Sequence, residues 1–271
     1  MRGIYPVVYL ENYEGGLAAR MKMYENCVGT TLDKEYPAII RVDGRSFSTY
    51  TKSFTKPFDN VIRDAMMHTA MMMAKEVQGV KLVYSQSDEI TLLLTAYENP
   101  LSSLWFDGRV QKIVSNAASV ATEAFNEYMD KEYWAKNPEL KRKRARFDAR
   151  TFNLPFIEVN NCFLFRQRDA VRNSKLNCGH EYLEGSLKKK NTDEIVSMLA
   201  EKGIHWTDLN PEYKNGFCVK KQFVAGIDPV ANTSNDVIVH KVWQVDTPIP
   251  DFGTDTNYVN EFFDEILLNY E

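Results

Sequence analysis

The sequence predicts an α+β protein built on a βαββαβ unit, the order of a ferredoxin-like sheet, with additional helices and a C-terminal extension. Three observations predict it. Residues 81–95, Lys-Leu-Val-Tyr-Ser-Gln-Ser-Asp-Glu-Ile-Thr-Leu-Leu-Leu-Thr, hold two apolar strand-forming runs, 81–84 and 90–94, around a short polar link. Two such runs so close together form a hairpin pattern. A third run, Ala38-Ile-Ile-Arg-Val42, ends in Asp43 and Gly44, and helix-period stretches separate these runs from a fourth strand at 146–152.

Each element has its own signal. Residues 17–28 have helical character behind a surface arm. A polar loop is expected at 46–57, and Lys56-Pro57-Phe58-Asp59 then starts a helix over 60–78, closed by Gly79. Ile62, Ala65, Met66, Thr69, Met72, Met73 and Val77 recur three or four apart, so this helix has a buried face, and its methionines read as core filler. A second amphipathic helix over 105–133 carries Phe106, Val110, Ile113, Ala117, Ala121 and Ala124 as its stripe. Arg109 and Lys112, three apart, project together near its start.

Pro155 precedes a helix expected over 157–173, on which Arg166, Gln167, Asp169 and Asn173 form a polar stripe open to two readings, an internal ion network or a ligand-facing surface. Asn191-Thr-Asp-Glu caps a helix that Gly203 closes. Apolar pieces at 216–223 and 237–245 follow, then a short helix at 262–270. The organisation expected is an arm and helix at 1–30, a central domain at 31–175 and a C-terminal region at 176–271 with an acidic tail.

Bulk properties bound the function. A chain of 271 residues is one large domain or two modest ones. No apolar run approaches the ~18 residues that a membrane helix needs. The N-terminus shows no secretion signal, and Cys27, Cys162, Cys178 and Cys218 lack Cys-x-x-Cys spacing, so a cytoplasmic, reduced protein is expected. The formal charge of −4 argues against coating nucleic acid through overall charge, yet Lys141-Arg-Lys-Arg-Ala-Arg146 and Lys188-Lys-Lys190 are local basic patches.

The chemistry centres on carboxylates at strand ends. Asp43 ends one strand and Asp88 stands at the hairpin, with Glu89 beside it. A solvated turn is the ordinary reading of Ser-Asp-Glu. Two strands that each deliver an acid instead form the usual arrangement for holding Mg²⁺ against a phosphate.

Arg41-Val-Asp-Gly-Arg-Ser-Phe47, Lys56-Pro57, Tyr84-Ser-Gln-Ser-Asp-Glu89 and Phe165-Arg-Gln-Arg-Asp-Ala170, in that order, resemble the tRNA(His) guanylyltransferase family, and more narrowly its bacterial, archaeal and phage-type like proteins. The resemblance runs from about residue 17 to 221. It implies a polymerase-type palm that adds nucleotides to tRNA 5′ ends in the 3′-to-5′ direction, using ATP and GTP or other nucleoside triphosphates, in a homotetramer. It also implies two Mg²⁺ ions on Asp43, Asp88 and the Gly44 carbonyl, with Glu89 as a supporting acid. Arg45, Ser46, Phe47, Lys56, Ser87, Arg109, Lys112 and Arg150 match nucleotide contacts. Arg166, Gln167, Asp169, Asn173, Lys190 and Asn191 match RNA-contacting positions.

Two departures narrow the expectation. Val171-Arg-Asn-Ser174 stands where guanylyltransferases proper carry His-x-Asn-Asn, and Ser48 stands where the family often has histidine. Both favour the like-protein branch, which repairs truncated tRNA 5′ ends on a template, over guanylate addition to tRNA(His). A non-catalytic RNA-binding module is the reading from another class. A palm-type nucleotide cyclase is disfavoured, because cyclisation has no use for the Arg-Gln-x-Asp helix.

Overall fold

The computed structural model describes residues 16–97, 101–185, 187–227 and 237–263. Its centre is a six-stranded sheet, all of whose pairings are antiparallel. The strands are β1 (Ala38–Gly44), β2 (Val80–Gln86), β3 (Glu89–Leu94), β4 (Phe147–Asn153), β5 (Phe217–Ile227) and β6 (Val237–Asp246), in the order β4-β1-β3-β2-β5-β6. The first four have the ferredoxin-like order, and β5 and β6 extend it beyond β2.

The described helices are α1 (Gly16–Asn26), α2 (Phe47–Tyr50), α3 (Asn60–Glu76), α4 (Val110–Glu132), α5 (Phe156–Tyr182), α6 (Thr192–Glu201), α7 (Pro211–Lys214) and α8 (Asn257–Asn260). α3 and α4 cover one sheet face, packing Met66, Met73 and Phe125 on Ile40, Val83 and Leu92. α5 and the C-terminal segment cover the other, packing Phe163 and Phe252 on Ile39, Leu82 and Leu93. Every residue of β3 is buried, as an apolar run without polar alternation requires. None of the helices is long and apolar enough, among the described residues, to cross a membrane.

Several expected boundaries move, for physical reasons. The loop expected at 46–57 contains α2 and a 3₁₀ turn, Thr51–Ser53, because Phe47, Tyr50 and Phe54 all turn inward. Phe47 and Tyr50 both meet Phe125 edge-on at 5.5 and 5.8 Å. α4 starts at Val110, after a 3₁₀ turn over Trp105–Gly108. α5 runs through residue 175 to Tyr182, past its expected end at Asn173. Gly179 does not stop it; a β-carbon there would lie 2.8 Å from Ile195 Cγ2, so this glycine admits α6 against α5. Much of the arm and most of the helix expected at 262–270 lie outside the described residues.

The basic loop at 141–146 is largely engaged within the protein. Arg142 and Arg144 both ion-pair with Asp130, and Lys143 donates to the Tyr50 carbonyl and Ser53 Oγ.

Candidate active site

β1 and β3 place acids at one end of the sheet, where Asp43 is paired in register with Glu89. Asp88 lies in the two-residue turn that joins Gln86 to Glu89, with Ser87 in the left-handed region at φ 50°. Gly44 fits against this turn. Its N–H donates to the Asp88 carbonyl at 3.1 Å, and a β-carbon would sit 2.9 Å from Asp88 Oδ2 and 2.5 Å from the Phe47 ring. Any other residue at 44 would have to displace the Phe47 ring and the Asp88 carboxylate.

The two aspartates interact. Burial, reinforced by the charge of Asp43, pushes the Asp88 carboxyl up to about 6, although Ser87 Oγ donates to it at 3.0 Å and pulls the other way. Beside Asp88 opens a cleft of about 590 Å³. Its inner wall carries Phe47, Ser48, Lys56 and Ser87. The opposite wall is one stripe of α5, Ala170, Asn173, Asn177 and His180, and Phe58 stacks on Tyr213 at 4.7 Å along the rim. This volume suits a nucleotide-sized ligand.

A family pattern described as tRNAHis guanylyltransferase (Thg1) matches residues 18–155 of the chain. The chain belongs to the tRNA(His) guanylyltransferase family. A bacterial Thg1-like protein solved in complex with ATP superimposes with a TM-score of 0.79 at 36% identity, over 90% of this chain and 97% of that one. The Saccharomyces cerevisiae tRNA(His) guanylyltransferase, at 20% identity, a TM-score of 0.57 and 80% and 94% coverage, shows the shared fold alone. A probable tRNA(His) guanylyltransferase of Dictyostelium discoideum is 28% identical, covering 73% of this chain and 78% of its own. An uncharacterized protein of Acanthamoeba polyphaga mimivirus is 27% identical, covering 81% and 80%. The fold is the family's palm, and the family's members are nucleotidyltransferases.

The structure does not bring all the expected residues of this family member to one place. Lys56 lines the cleft, with its Nζ 3.5 Å from Thr51 Oγ1. Arg45 and Ser46 are exposed where β1 ends, whereas the Phe47 ring is buried and also serves the core. Arg150 lies on β4, directly across from Arg41, and reaches Asp148 at 3.3 Å. Arg109 and Lys112 stand at the other end of the sheet. Arg109 bridges to Thr31, whereas Thr122, thirteen positions further along α4, contacts the start of β4 beside Gly44. At 1.5 Å per helical residue, that separation is roughly 20 Å. Within a protomer they stand apart from the cleft that Lys56 lines.

Of the two readings of the polar stripe of α5, the internal network accounts for most of it. Arg166 grips Glu89 with two hydrogen bonds of 2.6 Å, and its side chain is only 12% exposed. Gln167 is buried, donating to the Pro250 carbonyl and accepting from the Phe252 N–H. Asp169 accepts from Arg166, Arg172 and Asn173. Arg166 and Gln167 are therefore held inside the protein, and of the four only Asn173 lines the cleft. Asn191 caps α6 by accepting from the Asp193 and Glu194 N–H groups, beside exposed Lys190.

Asn177, His180 and Tyr213 were not singled out by sequence. The first two continue the 170–173 stripe at helical spacing, a signal that appears only once α5 extends past residue 173.

Proposed function

We propose that this family member is a Mg²⁺-dependent nucleotidyltransferase that extends tRNA 5′ ends in the 3′-to-5′ direction on a template. The observation that carries the reading is Asp43, at the end of β1, within electrostatic reach of Asp88, whose turn packs on Gly44, beside a nucleotide-sized cleft that Asp88 and Lys56 line. Two partly buried carboxylates, one raised chiefly by burial and further by the charge of the other, are a donor set that a hard dication relieves. Asp43, Asp88 and the Gly44 carbonyl would hold such ions. When bound, the metal supplies positive charge to the attacking and leaving oxygens of the phosphoryl group.

The protein's own groups account for the rest. Lys56 neutralises phosphate charge in the cleft and orients it. Glu89, clamped by Arg166, fixes the turn that aims Asp88. In the first step the RNA 5′-phosphate attacks the α-phosphorus of ATP and pyrophosphate leaves. The 3′-hydroxyl of the incoming nucleotide then attacks the activated 5′-phosphorus, and AMP leaves. The bacterial relatives solved with ATP and with GTP, both 36% identical, support a site that accepts both nucleotides. Val171 in place of the family's histidine supports choice of sequence by base pairing rather than by reading one anticodon.

Incubation with a panel of 5′-truncated tRNAs, ATP and each nucleoside triphosphate tests this reading. Template-matched extension of several tRNAs is expected. Guanylate addition confined to tRNA(His) would replace the repair reading with the narrower one. Retained RNA binding without incorporation on any substrate would leave a binding module.

A further inference from the structure

The ribbon formed by β5 and β6 outruns the sheet. β5 pairs with β2 only from Leu82↔Lys220 to Ser85↔Phe217, whereas β5 and β6 remain paired out to Ile227↔Val237. Past Lys220 the ribbon has no further strand beside it among the described residues.

One face of this projecting part alternates lysine and aromatic side chains across the strands. Lys221 is paired in register with Trp243, and its Nζ lies 5.1 Å from the indole. Phe223 is paired with Lys241, whose Nζ lies 4.7 Å from the ring, yet Phe223 remains 69% exposed. No carboxylate stands in this checkerboard. Asp246, further down the ribbon, is already bonded to Lys220 and Tyr258, and Asp228 and Asp236 of the connection lie outside the described residues.

We infer that this face of the ribbon is an RNA contact, taking an unpaired segment of the substrate by stacking on exposed Phe223 with Lys221 and Lys241 on its phosphates, while Trp243, half-buried against the core, anchors Lys221. This rests on the proposed action on tRNA. A flexible polyanion with aromatic bases matches a surface that offers rings and ammonium groups in alternation. A second copy of the chain matches it poorly, since protein interfaces are enriched in aromatics but depleted of lysine, and docking would desolvate two ammonium groups that no carboxylate among the described residues of this face compensates. Phe223 lies at the level of residue 79, seven strand positions from the acid-bearing turn, or roughly 23 Å at 3.3 Å per residue. Within a protomer the ribbon therefore contacts RNA away from the reacting 5′ end.

The test uses the full chain and the variants K221E/K241E, K221Q/K241Q and F223A, with labelled full-length tRNA, an acceptor-stem minihelix and sedimentation. In K221E/K241E, affinity for full-length tRNA should fall at least tenfold. In K221Q/K241Q the slope of log K against log salt should become shallower by roughly 1.5. F223A should lose severalfold at an unchanged slope. Minihelix binding and extension, and the sedimenting mass, should not move. Unchanged tRNA affinity, or an equal loss on the minihelix, overturns the inference. A change in mass assigns the face to contacts between copies instead. Wild-type protein that binds tRNA through this face but extends no RNA would sink the functional reading and leave the ribbon assignment standing.

Discussion

Asp88 and Glu89 are neighbours in sequence with opposite electrostatic fates. Glu89 is buried and held by two short bonds to Arg166, with Arg41 3.7 Å away. Asp88, one residue earlier, opens onto the cleft, feels the charge of Asp43, and has no ion-pair partner among the described residues; its carboxyl is raised. A carboxylate with its charge compensated inside the protein serves the scaffold. One left uncompensated beside another acid and a cavity is poised for a charge from outside. The contrast separates the site from its support within two residues.

Removing an uncompensated acid tests the contrast where the effect is largest. Asp43→Ala or Asp88→Ala should reduce nucleotide addition at least a thousandfold, about 4 kcal/mol in the barrier, while the urea midpoint does not fall. Incorporation near the wild-type rate in either variant would show that the pair is not the reacting centre. Breaking the compensated pair should do the reverse. Arg166→Ala leaves Glu89 buried without its partner and should cost about 3 kcal/mol in urea unfolding. The double variant E89L/R166M should recover most of that stability, because packing replaces the ion pair. If it stays as unstable as R166A, the clamp is not what holds the turn. If it is stable and still inactive, Glu89 takes a direct part in the chemistry.

These distinctions were only partly legible in the chain. The strands were, because 38–42 and 90–94 are apolar runs that only a sheet covered on both faces buries. So was the placing of Asp43 and Asp88 at one end of the sheet, since one ends a strand and the other stands in the adjoining turn, in an order that makes β1 and β3 neighbours. The polar stripe on α5 was not. Spacing placed Arg166, Gln167, Asp169 and Asn173 on the helix but could not name their partners, which for Gln167 lie 83 and 85 residues away. Gly179 shows the same limit: it is required by a helix that packs from elsewhere in the chain, so nothing local marks it as an interior residue. Long-range packing decided each of these outcomes.

The smallest effect bears most directly on the uncompensated acid. The Asp88 carboxyl lies near 6 in the folded protein against 3.8 for an ordinary aspartate. The folded state thus takes up the proton first, and the stability this provides is fully present below about 3.8 and lost as pH rises through about 6. Asp88→Asn is neutral throughout and escapes that loss. In the presence of a chelator it should be more stable than the wild type at pH 7 by about 1–2 kcal/mol, with the gap closing as the pH falls towards 4. Urea unfolding at several pH values measures it, and a gap of equal size at both ends would place the raised carboxyl elsewhere. Adding Mg²⁺ at pH 7 should reverse the order, since the ion binds only the folded wild-type pair and stabilises it by mass action. A chain in which Mg²⁺ leaves both midpoints unmoved has no dication site at Asp43 and Asp88, whatever its activity.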